Sequence, residues 1–377
     1  MTTGGNAPAD AKLIIDLAVI RRNWLKIDRK IPSSSRAGAV VKADAYGLGV
    51  AQIAPLLAST GCEDFFVATV DEGLALRGLL PDVRISVLNG APQGAEAELA
   101  IAKLQPALND LGAIERWHEQ ARRMDTALPA VIHLDTGMAR LGLSPDEAAQ
   151  LAEQPERLAR LTPTLLMSHL ACANEAGHPM NGDQLARFHV LRRRLPAMPA
   201  SLAASSGVFL GAEYTFDLVR PGAALYGINP IPGQLNPMAQ VLRLEARIVA
   251  LREIDAPQSV GYGAAYRASG KTRIATVPIG YADGFPRALG NQASAMLANS
   301  DVASPPLPVV GQVSMDLVTL DVSALPPEQV RIGTAIILIG GARTLDTLAT
   351  EAGTIGYELL IRLGRRVPRA YLNEVAA

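Results

Sequence analysis

The chain has 377 residues, of which 49% are hydrophobic and 19% charged, with a formal net charge of −1. This length exceeds what a single core usually holds, which favours two domains, and the balanced charge argues against a nucleic-acid-binding protein. No apolar run reaches the roughly 20 residues that cross a bilayer, and two cysteines cannot build a disulfide framework. We therefore expect a cytoplasmic protein that acts on small molecules and has no membrane or nucleic-acid partner.

The first 240 residues alternate short apolar runs with longer amphipathic segments. LIIDLAV (13–19) is a strand candidate, and its Asp16 is placed to cap a helix over residues 17–27. Ser144 and Glu147 form a capping-box signature at the start of a later helix. Eight further strands are expected at 38–42, 65–70, 85–88, 106–109, 130–135, 165–169, 202–204 and 217–220. Eight strand–helix units of this size predict a (β/α)8 barrel, with an open doubly wound sheet as the alternative.

The sequence changes character after a Pro/Gly/Asn-rich linker at 229–237. Apolar or alternating runs of strand length follow at 242–254, 272–279, 306–315, 316–322 and 332–340. The basic end IRLGRRVPRAYL, 361–372, is expected to be only partly ordered. We predict a barrel domain over residues 1–240 and a mainly β domain over 241–377, with residues 1–16 a candidate to pair with the C-terminal domain.

Lys42 ends the first barrel strand, in the stretch AGAVVKADAYGLGV at residues 37–50. Its ammonium fits two descriptions. It is either a solvated strand end or a desolvated amine with a lowered pKa, the form that makes a Schiff base with a carbonyl compound.

The expected carboxyl ends of the other barrel strands carry cationic and hydroxyl side chains, which a closed barrel would gather at one face. These side chains are Arg140, His169, Ser205, Ser206 and Arg220, and they are followed by the small residues Gly222 and Ala223. Small residues after the last strand are typical of a barrel phosphate site, where backbone N–H groups meet an anion. A carbonyl cofactor that bears a phosphate and binds beside an amine is pyridoxal phosphate, so the sequence predicts this cofactor.

Nine motifs in order connect the chain to a known family: VVKADAYGLG, DTGMARLG, SHLACA, SSG, VRPGAALYG, VGYGAAY, PIGYADG, GQVSMD and IGYELL. On these motifs the sequence resembles the alanine racemases over residues 12–372. The resemblance implies a pyridoxal-phosphate enzyme that interconverts L-alanine and D-alanine on a barrel followed by a β domain. It also implies a homodimer with shared active sites, which supplies D-alanine for peptidoglycan or acts in alanine catabolism.

By the same resemblance, each motif residue has an expected role. Lys42 holds the cofactor and is one catalytic base, and Tyr262 of the partner subunit is the second catalytic base. The residues expected around the cofactor are Lys42, Tyr46, Arg140, His169, Ser206, Arg220, Gly222, Ala223 and Tyr357. The residues expected around the substrate are Arg140, Tyr281, Met315 and Asp316.

One position departs from the family pattern, and several rival readings stay open. His133 stands where many members carry a carbamylated lysine that steadies the arginine corresponding to Arg140, so Asp135 or a bound anion is a candidate replacement. A racemase of serine or other amino acids and a decarboxylase are rival enzymes, and a non-catalytic cofactor carrier is a rival of another class. Arg220 argues against a decarboxylase, because those enzymes place an acid there. The spacing of His169, Cys172 and His178 matches no common zinc pattern, so we predict no metal.

Overall fold

A computed structural model describes residues 10–298 and 305–373 of the chain. Residues 1–9 of the predicted pairing segment, and residues 299–304 and 374–377 of the predicted β domain, lie outside this part. The chain divides into two compact units. One unit is Ile20–Ala239, and the other combines the residues up to Val19 with those from Gln240 onward.

Parallel strands build the Ile20–Ala239 unit. Strand β1 (Ala11–Asp16) precedes this unit and belongs to the other one. The strands of this unit are β2 (Arg36–Ala37), β3 (Ala39–Val40), β4 (Asp64–Val67), β5 (Arg84–Val87), β6 (Gln105–Leu108), β7 (Leu128–His133), β8 (Leu161–Met167), β9 (Ala200–Ser201) and β10 (Leu218–Val219). Strands β3 to β9 form one parallel sheet in sequence order. Strand β2 pairs in parallel with β10, and a bridge between Ala204 and Arg220 continues the ladder from β9 to β10. Because β2 and β3 are two parts of the first barrel strand, the ring closes as the predicted (β/α)8 barrel.

Helices connect the barrel strands. They are α1 (Leu17–Lys30), α2 (Val50–Ser59), α3 (Val70–Leu79), α4 (Glu96–Ile101), α5 (Leu111–Arg123), α6 (Pro145–Glu153) and α7 (Pro179–Arg192). The predicted caps are confirmed: Val19 N donates to Asp16 Oδ1 (3.2 Å), and Ser144 and Glu147 form a reciprocal capping box. Helix α5 illustrates the packing, since Ile114, Trp117 and Ala121 recur on one face and are fully buried.

The strands of the barrel are apolar along their whole length because both of their faces are covered. Phe65, Phe66, Val131 and Ile132 alternate in direction along their strands, yet each is at most 1% exposed. The core therefore holds the strand ends in fixed positions, and the residues just beyond those ends start from a rigid backbone.

The second unit is mainly β. Its remaining strands are β11 (Leu242–Arg247), β12 (Ala250–Ile254), β13 (Ser259–Val260), β14 (Tyr266–Arg267), β15 (Thr272–Val277), β16 (Ser294–Leu297), β17 (Leu307–Pro308), β18 (Val318–Asp321), β19 (Ala335–Ile339) and β20 (Arg369–Leu372), with two short helices, α8 (Leu345–Glu351) and α9 (Gly356–Arg362). The largest sheet has the order β17-β16-β19-β11-β1-β20, and the others are β12-β15-β18 and β13-β14.

Three predictions for this unit were wrong in detail. The run 242–254 is two strands in different sheets, because the chain changes partners between Arg247 and Ala250. The run 306–315 is mostly loop: Leu307–Pro308 pairs with β16, and Val309 adds a single bridge to Leu320. The end 361–372 is ordered, because β20 pairs in parallel with β1, with Leu13 opposite Arg369.

Candidate active site

Lys42 follows the first barrel strand, and its environment disfavours the charged form of the amine. Burial lowers the pKa of Lys42 most, the positive charge of Arg140 lowers it further, and the carboxylate of Glu72 opposes both. An amine with a lowered pKa is a better nucleophile and a better base at neutral pH. Of the two descriptions that the sequence left open for Lys42, the structure therefore favours the desolvated amine.

The backbone after Lys42 forms a left-handed turn. Ala43, Asp44, Ala45 and Tyr46 have φ values of 52, 57, 52 and 57°. The left-handed conformation costs about 1–2 kcal/mol for each residue other than glycine, so the surrounding contacts must offset this strain. Two carboxylates contribute: Asp44 Oδ1 accepts from Val50 N (2.8 Å) at the start of α2, and Glu72 Oε1 accepts from Ala43 N (2.7 Å).

Lys42, Arg140, His133, His169 and Arg220 follow or end barrel strands at one face of the barrel, and we call the space between them the basin. Arg220 is buried there, with 4% of its surface exposed. Its guanidinium donates to the Ser201 hydroxyl and to the Ser168 carbonyl oxygen (2.6 Å). Burial lowers the pKa of Arg220 to about 10, so the group stays protonated at neutral pH. The Nη2 of Arg220 also lies 3.5 Å from His169 Nδ1. Because a guanidinium can only donate, this nitrogen of His169 is an acceptor.

The two histidines of the basin are neutral. Burial and the charge of Arg220 lower the pKa of His169 to about 3 and that of His133 to about 4. His133 Nδ1 lies 2.6 Å from Asn109 Oδ1, and Asn109 Nδ2 donates to Leu88 O (3.4 Å). The Leu88 carbonyl therefore orients the amide so that its oxygen faces His133. Nδ1 of His133 must then carry the proton, and Nε2 is left as a neutral acceptor.

Asp135, one of the two candidate supports for Arg140, makes no hydrogen bond or ion pair with it in the described part of the chain. Its carboxylate accepts from the N–H groups of Gly137 (2.8 Å), Met138 (2.9 Å) and Ala139 (3.0 Å), which shapes the loop before Arg140. Arg140 is exposed and makes no hydrogen bond or ion pair within residues 10–298 and 305–373. Its guanidinium is therefore available to an anionic ligand.

A cradle suited to a phosphate lies between the first and last barrel strands. Tyr46 packs on Tyr226 with ring centroids 4.8 Å apart, and a Cβ on Gly222 would lie 2.4 Å from Tyr46 Oη. Only glycine allows this approach of the backbone to the phenol. Ser205 Oγ accepts from the N–H groups of Gly222 (3.0 Å) and Ala224 (3.1 Å) and so shapes the turn that carries Ala223.

Ser206, the neighbour that the sequence singled out, is half-buried beside this cradle. Together with the amine of Lys42 and the two arginines, these groups fit an anionic carbonyl compound such as the predicted pyridoxal phosphate.

The remaining predicted residues lie in the second unit. Tyr262 is 72% exposed at a turn in which Gly261, Gly263 and Ala264 all have positive φ. Tyr281, 44% exposed, is tied to the loop of Met315, because Tyr281 N donates to Ser314 O (3.0 Å).

Asp316 contributes to an ion-pair network in this unit. Arg366 donates to Asp316 (2.7 Å) and, with two nitrogens, to the buried Asp283 (2.6 and 2.8 Å). The network thereby joins the turn of Tyr281 to the loop of Met315 and Asp316. Tyr357 lies apart from it in the chain, half-buried in α9.

Several supporting residues escaped the sequence reasoning. Glu72 was detectable, since Thr69 three positions before it completes a capping box at the start of α3. Asn109 and Arg366 carry no local signal, because their partners lie far away in the chain.

No group of three or more His, Cys, Asp or Glu side chains that could hold a metal occurs among the described residues. The helices of the described chain include none that is long and apolar enough to cross a membrane.

Comparison with known proteins gives one consistent result. The family model described as "Alanine racemase, N-terminal domain" matches residues 15–230, and the model for the C-terminal domain matches residues 241–371. A curated alanine racemase from Rhodospirillum rubrum is 49% identical over 364 residues, which cover 96% of each chain.

Solved structures agree with this result. The crystal structure of an alanine racemase from Bartonella henselae with covalently bound pyridoxal phosphate is 38% identical. It superimposes with a TM-score of 0.92 over 97% of this chain and 100% of that one. The biosynthetic alanine racemase from Pseudomonas aeruginosa is 32% identical, with a TM-score of 0.87 over 97% of this chain and 99% of that one.

Proposed function

This chain belongs to the alanine racemase family, and from that membership we infer that it is a pyridoxal-phosphate-dependent isomerase that interconverts L-alanine and D-alanine. The observation that carries the site assignment is the basin at the barrel mouth. There, an amine with a lowered pKa lies among cations, and the two neighbouring histidines are neutral. Neither rival enzyme is favoured, since the relatives named above are all alanine racemases.

The barrel residues are proposed to hold the cofactor. Lys42 would supply the amine that binds its aldehyde, while Tyr46, Ser206, Gly222 and Ala223 would surround its phosphate. Arg220 would lie at the ring nitrogen, where a guanidinium that stays protonated could donate a hydrogen bond without transferring its proton, and His169 would support Arg220. Arg140 would contact the cofactor and the substrate carboxylate. Tyr357 is proposed to complete the phosphate site.

Racemisation requires that one proton leave Cα of alanine and that another arrive on the opposite face. When bound, pyridoxal phosphate supplies the electron acceptor that makes this Cα–H acidic. We assign Lys42 Nζ to one face and Tyr262 Oη of the partner subunit to the other. Each group takes the proton in one direction of the reaction and returns it in the other. Tyr281, Met315 and Asp316 are proposed to limit the space around the alanine methyl group and carboxylate.

A homodimer is part of this proposal because of what the second unit exposes. Tyr262, Tyr281 and Met315 are large side chains with 72, 44 and 53% of their surface exposed. Large exposed aromatic and apolar side chains in neighbouring loops are typical of a surface that another chain covers. A two-fold dimer would place two such surfaces symmetrically and create two equivalent sites. We also propose that the enzyme works in the cytoplasm, where unpaired cysteines such as Cys62 and Cys172 persist, and supplies D-alanine for peptidoglycan.

The function is tested in two steps. Borohydride reduction followed by peptide mapping should place the cofactor on Lys42, and chiral chromatography should show L-alanine converting to a mixture with D-alanine. A reduced cofactor on another lysine, or no conversion, would contradict the assignment.

The shared site is tested by mixing two inactive variants, Lys42→Ala and Tyr262→Phe. Mixed dimers should regain part of the activity, because one of the two sites then contains both intact residues. If subunit exchange is verified and no activity returns, both groups must come from the same chain.

A further inference from the structure

The turn that follows Lys42 is an unfavourable piece of backbone in an important place. Four consecutive residues, Ala43 to Tyr46, are left-handed although none of them is glycine, and residues with a side chain rarely adopt this conformation. Within this turn Ala45 N donates to Val41 O (2.9 Å) and Gly47 N to Ala43 O (2.7 Å). The N–H of Ala43, immediately after the lysine, instead points to a side chain from another part of the barrel.

That side chain is Glu72, whose two carboxylate oxygens bind backbone on different segments. Oε1 accepts from Ala43 N (2.7 Å), while Oε2 accepts from Ala68 N (2.7 Å) and Thr69 N (3.3 Å). Ala68 and Thr69 lie between β4 and α3, so one carboxylate joins the end of the second barrel strand to the turn after the first. Hydrogen bonds to an ionised carboxylate are shorter and stronger than neutral ones.

Glu72 is also the acidic group in the electrostatic surroundings of Lys42. Arg140 and the neutral His169 face the amine from the loops after β7 and β8, and Glu72 faces it from α3. The carboxylate thus opposes the effect of Arg140 and of burial on the amine.

We propose that Glu72 is a positioning residue for Lys42, which clamps the left-handed turn through Ala43 N–H and so sets the direction and basicity of the lysine amine. This inference rests on the proposed role of Lys42 as the cofactor lysine. It concerns how the amine is held and not which amine reacts.

The chain supplies a matched control in Glu147. This glutamate is likewise the third residue of its helix, forms a capping box with Ser144, and accepts from the N–H of a neighbouring segment, Leu111 (3.3 Å). Glu72 and Glu147 therefore have the same local function at a helix start. They differ in that only Glu72 binds the turn after Lys42.

The first experiment is amide hydrogen exchange on the full chain with its cofactor, comparing Glu72→Ala with Glu147→Ala. We expect the Ala43 amide to exchange at least about tenfold faster in Glu72→Ala, because its acceptor is gone. The same amide should be unchanged in Glu147→Ala. Glu72→Gln keeps the side-chain volume and one acceptor oxygen, so it provides a folded variant with an intermediate effect if Glu72→Ala is unstable.

The second experiment removes the cofactor from the full chain with hydroxylamine and measures the acetylation rate of Lys42 against pH by mass spectrometry. Loss of the negative charge should move the midpoint of this profile down by about one pH unit in both Glu72 variants, while Glu147→Ala should match the wild type. The inference is overturned if the exchange rate and the profile are unaffected in the Glu72 variants, or if Glu147→Ala changes them equally. The proposed function would fail separately, if borohydride placed the wild-type cofactor on another lysine.

Discussion

The neutral state of His133 predicts a specific dependence of stability on pH. The side chain is 7% exposed, and its pKa is lowered to about 4 by burial and by Arg220, against 6.5 for an ordinary histidine. Between pH 6.5 and pH 4, His133 is therefore protonated in the unfolded chain and neutral in the folded chain. The contribution of neutral His133 to the free energy of unfolding is fully present above pH 6.5 and is lost as the pH drops toward 4.

The size of this effect follows from the two pKa values of His133. Between pH 7.5 and pH 5, the shift from 6.5 to about 4 removes about 2 kcal/mol from the free energy of unfolding. Asparagine at this position keeps an N–H donor for Asn109 Oδ1 but cannot titrate. We therefore expect His133→Asn to lose about 2 kcal/mol less than the wild type over this interval, whatever its stability at pH 7.5.

The assay is urea unfolding at pH 7.5, 6.0 and 5.0, with fixed concentrations of protein and pyridoxal phosphate because both affect apparent stability. Carboxylates titrate in both proteins, so their contribution cancels in the comparison. An equal loss of stability in the two proteins would refute the reasoning. Nitrogen-15 NMR of labelled histidine offers an independent check, since Nδ1 and not Nε2 should carry the proton in the wild type.

Two further predictions concern the cradle and the ion-pair network. Gly222→Ala places a Cβ 2.4 Å from Tyr46 Oη. The affinity for the cofactor, measured by equilibrium dialysis, should therefore fall about tenfold or more. An unchanged affinity would mean that the phosphate site lies elsewhere. Arg366→Ala frees Asp283 and Asp316, so the KM for alanine should rise about tenfold with a smaller change in kcat; a change confined to thermal stability would assign Arg366 a structural role alone.

The elements of the barrel could be predicted because their signals are local. Each of the eight predicted strands overlaps or adjoins an observed strand, since a strand covered on both faces must be apolar over several consecutive residues. The capping residues Asp16 and Ser144 were recognised for the same reason, because a helix start binds side chains only two or three positions away. The β unit was less predictable, since its short strands pair with distant partners.

The site divides in the same way. The types and order of its residues, above all Lys42 and Arg220 at the ends of strands, are visible in the sequence because a barrel collects the carboxyl ends of its strands at one face. The left-handed turn is not visible, because Ala43 and Ala45 disfavour this conformation by themselves, and it depends partly on Glu72.

The sequence by itself determined the strands of the first unit, the helix caps and the motifs that carry the family resemblance, since each of these is a pattern within a few consecutive residues. Only the tertiary structure decided that the barrel closes, through the pairing of β2 with β10. It also decided that His133 is neutral, through burial and Arg220, and that the C-terminal strand β20 pairs with β1. A pKa or a strand pairing is set by groups that the fold brings together from distant parts of the chain, and no local pattern records those distances.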